Sequence, residues 1–67
     1  MVKRNLIMAK AMALDLKVPD LANALGIHPS TLSLKLNGKT EFTISEAEGL
    51  KNVLGLSNDE LTDIFFG

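Results

Sequence analysis

The sequence has no cysteine, tryptophan or tyrosine and only one histidine. Without cysteine the chain can form neither a disulfide nor a thiolate metal site, and a single histidine cannot hold a zinc ion. A chain of 67 residues makes one small domain and leaves no room for a cleft between two domains. We therefore predict a single domain over residues 1–67 that binds no metal, no cofactor and no small-molecule substrate.

Long apolar runs are also absent. The longest apolar stretch, Leu6–Leu16, is interrupted by Lys10 and Asp15, and it is shorter than the roughly 20 residues that span a bilayer. The basic start of the chain is not followed by the uncharged segment and small-residue cleavage site of a secretory signal. These absences predict a cytoplasmic protein with no membrane partner.

The charge is distributed unevenly, although the net charge is only −1 and the pI is about 5.6. Residues 1–44 carry six basic and three acidic side chains, whereas residues 45–67 carry one basic and five acidic ones. A weakly acidic total argues against a polyanionic partner, but a basic half can face phosphates while an acidic half faces away. Nucleic acid therefore remains a candidate partner.

No group of residues has the pattern of a catalytic site. Glu46 and Glu60 are accounted for by helix capping, and we expect Asp59 and Asp63 to have no basic or nucleophilic partner nearby. We predict that the protein is not an enzyme.

Glycine and proline divide the chain into short segments whose apolar residues recur at helical spacing, which predicts an all-α fold of five helices. Thr43 with Glu46 and Ser57 with Glu60 have the spacing of capping boxes, so they predict the starts of helices four and five. Gly38 is placed for a left-handed helix end. The other predicted limits are about Val2–Leu14 for helix one, Pro19–Leu25 for helix two, Pro29–Asn37 for helix three and Gly55 as the end of helix four.

Two features of these helices stay open in the sequence. Helix one has two apolar faces, and its pattern does not decide which one is buried. Gly49 lies inside helix four, where glycine costs about 1 kcal/mol relative to alanine, and close packing is the only reason that the sequence suggests for it. One face of helix one consists of Leu6, Ala9 and Ala13, and Met8 and Met12 extend it. The other face consists of Ile7, Ala11 and Leu14.

The most informative spacing lies in residues 18–37, which we interpret as a helix-turn-helix. Two short helices that meet at a steep angle need a small residue at their crossing, a glycine in the turn and apolar residues beside the corner. Ala22, Gly26, Ile27 and Leu32 supply these in order.

Residues Leu16–Phe66 resemble the lambda-repressor-like helix-turn-helix family, in particular its small phage Cro-like members. The stretch Ser30–Thr43 and the ending Ile64-Phe65-Phe66 carry the similarity. The resemblance implies a compact five-helix DNA-binding domain that regulates transcription in a phage or prophage, with helix three in the major groove. It also implies a homodimer on an operator with two half-sites, without a cofactor.

The resemblance assigns base contacts to the start of helix three. These positions lack the arginine, asparagine and glutamine that make bidentate contacts with bases. Specificity would therefore come from serine hydroxyls, from an apolar contact with a thymine methyl group and from DNA shape. The alternative is that the serines are merely solvent-facing. The implied base contacts are Pro29, Ser30, Ser33 and Leu34.

Contacts with the sugar-phosphate backbone are implied around both helices. Many relatives begin helix two with a phosphate-binding glutamine, but this sequence has Val18, so the helix start and Lys17 would have to hold the phosphate. Lys35 occupies a position that is often apolar, and its stem could pack while its head reaches solvent or phosphate. We expect His28 to cap helix three. The implied backbone contacts are Lys17, Val18, Thr31, Asn37, Lys39 and Thr40.

The sequence of the last helix predicts a contact between two copies of the chain. Successive helical residues are about 100° apart, so Phe65 and Phe66 cannot both point into one core. We expect one ring to be exposed and to support a weak homodimer together with Leu61. The alternative is that the last turn unwinds and both rings fold under helix one.

A protein-interaction module is the alternative function. An antirepressor or assembly domain could keep the helix-turn-helix fold after losing base recognition. The weak base-contact residues and the acidic pI favour this alternative, whereas the Asn37–Thr40 turn favours DNA.

Overall fold

The computed structural model describes residues 2–67 and contains five α-helices and, over these residues, no strand. The prediction of an all-α fold with five helices is confirmed. The observed limits differ from the predicted ones by at most two residues, as expected for helix ends. The helices are α1 (Arg4–Ala13), α2 (Val18–Leu25), α3 (Pro29–Leu36), α4 (Ile44–Leu54) and α5 (Asn58–Phe66).

One apolar core joins all five helices. Helix α2 packs against α3 and α4, and α1 packs against α4 and α5. On α1 the face with Ile7 and Ala11 is buried, whereas Met12 is 78% exposed. Leu14 shares the spacing of the buried face but is exposed, because it lies just past the end of α1. The buried core consists of Ile7, Ala11, Leu21, Ala22, Leu32, Leu36, Leu50, Leu54, Leu56 and Ile64.

The two predicted capping boxes are confirmed. The hydroxyl of Thr43 accepts from the backbone N–H of Glu46 at 3.1 Å, and the Glu46 carboxylate accepts from the N–H of Thr43 at 2.8 Å. Ser57 and Glu60 make the same pair of bonds at 3.1 and 3.0 Å. Each box satisfies backbone donors that the first turn of a helix leaves unpaired.

Gly49 has the close packing that the sequence suggested, and the structure shows its partner. A Cβ atom at this position would lie 2.6 Å from Cδ2 of Leu25. The missing side chain therefore lets α4 approach α2 closely.

Asp15 ends α1 in a conformation that normally favours glycine. Its φ is +59°, and it is the only non-glycine residue with positive φ within residues 2–67. The N–H of Asp15 donates to the carbonyl of Met12 at 3.0 Å, and the N–H of Leu16 donates to the carbonyl of Ala11 at 2.8 Å. This is a Schellman ending, in which aspartate tolerates the left-handed region less well than glycine does.

We therefore expect Asp15→Gly to stabilise the domain by about 0.5–1 kcal/mol. Asp15 is exposed, so the change removes strain without creating a cavity. For a domain of this size, 1 kcal/mol corresponds to a rise in melting temperature of about 4–8 °C, which thermal unfolding followed by circular dichroism would detect. Asp15→Ala is the matched control and should not stabilise. Equal stabilisation by both variants would contradict the backbone explanation.

Candidate nucleic-acid interface

The connection between α2 and α3 is the short segment 26–28. Gly26 has φ +70°, and the N–H of Ile27 donates to the carbonyl of Ala22 at 3.0 Å. Leu21 and Ala22 on α2 and Leu32 on α3 are fully buried. The corner between α2 and α3 thus contains the small residue, the glycine and the buried apolar residues from which we predicted its position.

His28 caps α3, as predicted. Its Nδ1 atom accepts from the backbone N–H of Ser30 at 3.1 Å and lies 2.8 Å from the Ser30 hydroxyl. The imidazole therefore satisfies one free donor of the first turn and also holds the Ser30 side chain. The Ser30 hydroxyl can both donate and accept hydrogen bonds. A contact between Ser30 and a base would have to use a donor or acceptor position that His28 does not already occupy.

The four positions implied as base contacts lie within the first six residues of α3. Ser30, Ser33 and Leu34 are spaced so that they share one side of the helix. Ser30 is exposed, Leu34 is 48% exposed, and Pro29 and Ser33 are half-buried. An exposed leucine beside a serine gives this side a mixed apolar and hydroxyl surface.

The turn after α3 is exposed from Asn37 to Thr40. Gly38 takes the predicted left-handed conformation with φ +76°, and the N–H of Lys39 donates to the carbonyl of Leu34 at 2.9 Å. This hydrogen bond fixes the conformation of the turn, while the side chains of the turn face solvent.

Arg4 also belongs to this surface, and the sequence did not predict it. Its guanidinium donates a hydrogen bond to Oδ1 of Asn37. The two residues are 33 positions apart, so only the packing of α1 brings them together. The bond leaves the Asn37 amide group free to donate, and it places the Arg4 guanidinium at the start of the turn that carries Lys39.

The remaining backbone-contact candidates lie apart from this turn. Lys17 is exposed and precedes α2, and its backbone N–H donates to the carboxylate of Asp20 at 2.8 Å. Val18 and Thr31 are half-buried. Within residues 2–67, none of these three side chains forms a hydrogen bond with the Asn37–Thr40 turn.

Lys35 does not reach solvent or phosphate. The residue is buried, and its ammonium group donates to Oε1 of Glu46 at 2.8 Å and to the carbonyl of Glu41 at 3.0 Å. The suggestion of a phosphate-facing head is wrong, because a carboxylate and a carbonyl compensate the charge inside the fold. This ion pair joins α3 to the start of α4.

The same contacts shift the ionisation of Glu46. Burial raises the pKa of Glu46, but hydrogen bonds from Lys35 and from the Thr43 backbone, with the positive charge of Lys35, outweigh burial. Together they hold the pKa of this carboxyl below its ordinary value of 4.5. Glu46 is therefore ionised at neutral pH and matches the Lys35 charge.

The uneven charge of the sequence does not become a simple division in space. Acidic residues of α5 pair with lysines of the basic half: Asp63 with Lys3 at 2.9 Å and Glu60 with Lys10 at 2.5 Å. The prediction that Asp63 has no basic partner nearby is wrong, because α5 packs against α1 and Lys3 directly precedes α1. The expectation that the acidic half faces away from the basic half is thus wrong for α5. Four basic residues have no carboxylate within 4.0 Å in the part of the chain that the structure describes, namely Arg4, Lys17, Lys39 and Lys51.

The end of α5 separates the two phenylalanines, as predicted. Phe66 is 83% exposed, whereas Phe65 packs against the core with its ring edge-on to Phe42 at a centroid distance of 5.4 Å. The helix continues to Phe66, so the alternative of an unwound last turn is wrong. Leu61 is half-buried against the core.

Other kinds of site find no support over residues 2–67. No cluster of three or more histidine and acidic side chains could hold a metal ion, and no helix there has the length and apolar character needed to cross a membrane. Comparison with protein-family models, curated protein sequences and solved structures finds no match to the chain.

Proposed function

We propose that this protein binds double-stranded DNA sequence-specifically, with α3 in the major groove and the Asn37–Thr40 turn on the sugar-phosphate backbone. The role that follows is a transcriptional regulator of phage or prophage type in a bacterial cytoplasm. The chemistry requires no cofactor and no catalytic residue.

One observation carries the proposal: the cations of Arg4 and Lys39 collect at the exposed turn that ends α3. Neither has a carboxylate within ion-pair distance among the residues described, whereas Lys3, Lys10 and Lys35 all do. Cations without a carboxylate partner, beside exposed amide and hydroxyl groups, suit the phosphates of a duplex. The resemblance of the sequence to lambda-repressor-like proteins supports the same assignment.

The exposed face of α3 is suited to base contacts of modest strength. Leu34 offers an apolar surface to a thymine methyl group, and the hydroxyls of Ser30 and Ser33 can donate or accept. Such side chains discriminate less sharply than arginine or asparagine, so DNA shape would contribute to the choice of site.

Selection of bound duplexes from a random pool tests the proposal. Enrichment of one motif supports it, and two copies of that motif in inverted repeat would give the half-site spacing. A pool that stays random, with the protein folded, would overturn DNA recognition and leave the protein-interaction alternative.

We expect Lys39→Ala to weaken binding to all DNA sequences alike and to reduce the salt slope by about 1. The physical reason is that one phosphate contact fewer releases one counterion fewer. Fluorescence anisotropy at several salt concentrations would measure the slope. Lys51→Ala is the charge-matched control, because Lys51 lies on α4 and bonds Asn58; its slope should not change.

A contrasting variant separates phosphate contacts from base contacts. Leu34→Ala should alter which base is preferred at one position, by about 1–3 kcal/mol. A uniform loss across sequences would remove Leu34 from the base-contacting set.

A further inference from the structure

The imidazole of His28 carries its proton on one defined nitrogen. Its Nδ1 atom lies 3.1 Å from the backbone nitrogen of Ser30, and a backbone N–H can only donate a hydrogen bond. Nδ1 is therefore the unprotonated nitrogen that accepts this bond and caps α3. In the neutral imidazole the proton then lies on Nε2.

The same nitrogen fixes the direction of the Ser30 hydroxyl. The Oγ atom of Ser30 lies 2.8 Å from Nδ1 of His28. Because Nδ1 carries no proton, this contact is a hydrogen bond only when the hydroxyl donates it. The single hydroxyl proton is thus used inside the protein, and only the lone pairs of the oxygen remain for another partner. Ser30 is exposed, so a ligand can reach these lone pairs.

The opposite direction of this contact conflicts with the capping bond. A protonated Nδ1 would donate to the Ser30 oxygen and leave the hydroxyl proton free for another partner. Nδ1 could then not accept from the backbone of Ser30, and two N–H groups would face each other across 3.1 Å. The first turn of α3 would lose a partner for one of its free donors.

Ser33 provides a contrast on the same side of α3. Its hydroxyl has no hydrogen-bond partner over residues 2–67, so it can still donate or accept. The two serines have the same functional group in the sequence. Only the contact with His28 makes the chemistry of Ser30 different.

Bases differ in what their major-groove edges offer to a group that can only accept. Cytosine and adenine each present an exocyclic amino group, which donates, whereas guanine and thymine present only acceptors. A hydroxyl without a free proton can bond the amino group. Beside a guanine or thymine it would place two acceptors together, and both would lose their hydrogen bonds to water.

We infer that Ser30 selects a base with an exocyclic amino group, cytosine or adenine, because His28 takes up the hydroxyl proton. The inference rests on the proposed function and narrows it to a chemical class of base at one position. His28 is then a positioning residue that acts on the base through Ser30.

Nitrogen chemical shifts of the imidazole test the premise without DNA. His28 is the only histidine of the chain, so its two ring nitrogens can be assigned in a nuclear magnetic resonance spectrum. In mildly alkaline buffer, where imidazole is neutral, Nδ1 should have the shift of an unprotonated nitrogen and Nε2 that of a protonated one. A proton mainly on Nδ1 would overturn the inference and leave the proposed function standing.

Base analogues in a selected duplex test the contact itself. The relevant base pair is the one at which Ser30→Ala relaxes the preference. Replacing its cytosine or adenine by an analogue without the amino group should weaken binding of the wild type at least about fivefold, the lower end for a mismatched base pair. An analogue of the opposite base without its carbonyl oxygen should leave binding unchanged. Neither analogue should affect Ser30→Ala, because the contact is already absent there.

Two variants of His28 separate its hydrogen bond from its ring. His28→Gly frees the hydroxyl proton, and glycine is tolerated at the start of a helix, so exchanging the two bases of the pair should cost this variant less than the wild type. His28→Asn keeps an acceptor at the same place in the side chain and should retain the wild-type preference. Ser33→Ala is the matched control and should leave the preference at this base pair unchanged.

The outcomes also distinguish the inference from the proposed function. Binding that depends on the carbonyl oxygen rather than on the amino group would show that Ser30 donates, and it would overturn the inference alone. A preference that His28→Gly leaves as sharp as in the wild type would do the same. A random pool from which no duplex is enriched would overturn both.

Discussion

Lys35→Met should lower the free energy of unfolding by about 3 kcal/mol, because it leaves the carboxylate of Glu46 without its partner in a largely buried site. The side chains of Lys35 and Glu46 are only 11% and 14% exposed. A domain with a core of this size rarely has a free energy of unfolding above about 3–5 kcal/mol, so the variant should lose most of its stability. Urea unfolding followed by circular dichroism would measure the loss.

The double variant Lys35→Met with Glu46→Gln provides the control. Glutamine can still accept from the Thr43 N–H, so the capping box survives while the unpaired charge disappears. We therefore expect the double variant to recover most of the stability. If Lys35→Met costs no more than Lys51→Met, the ion pair does not stabilise the fold.

The pH dependence of the same pair has a definite sign. The pKa of Glu46 in the folded protein lies below its ordinary value of 4.5, so the stabilisation is fully present above pH 4.5 and is lost as the pH falls through the folded pKa. Acid should thus remove this contribution from the wild type. The double variant has no carboxyl at position 46 and should lack this part of the acid sensitivity.

Phe65→Ala and Phe66→Ala should differ strongly in stability although the residues are adjacent. Phe65 packs against the core and Phe42, so its truncation should cost about 3 kcal/mol, the lower end for phenylalanine in a core. Phe66 is 83% exposed, and its truncation should stay within about 0.5 kcal/mol. Thermal unfolding of both variants compares them directly. Similar losses in the two variants would show that the end of α5 packs differently.

Features that depend on neighbouring residues were predictable from the sequence. Capping by Thr43 and Ser57, and by His28 at the start of α3, follows from side chains that reach the backbone two or three residues away. The corner at Gly26 is equally local. Helix number and most helix ends therefore agree with the prediction.

Features that depend on packing were not predictable. The bond between Arg4 and Asn37, and the approach of α4 to α2 at Gly49, need the relative positions of whole helices. Lys35 shows the same limit, since its sequence position fits solvent, phosphate or a buried partner equally well. The choice among them depends on Glu46, which is 11 residues away.

The candidate site was predicted unevenly for the same reason. The exposed positions Ser30 and Leu34 follow from the helical spacing of α3. The exposed ring at Phe66 follows from the 100° rotation between neighbours. The exposure of Ile44, which lines the same groove of about 660 Å³ as Phe66, was missed, because Ile44 opens another helix and its exposure depends on how α4 packs.

Glu46 has a consequence for how the domain opens. A single atom, Oε1, accepts from the Thr43 N–H and from the Lys35 ammonium group, each at 2.8 Å. Fraying of the first turn of α4 would therefore release Lys35, and detachment of α3 would expose that oxygen. We expect the two helices to open as one cooperative unit. The α3 surface that we propose for the major groove and the start of α4, which carries Ile44, should then share their protection from local unfolding.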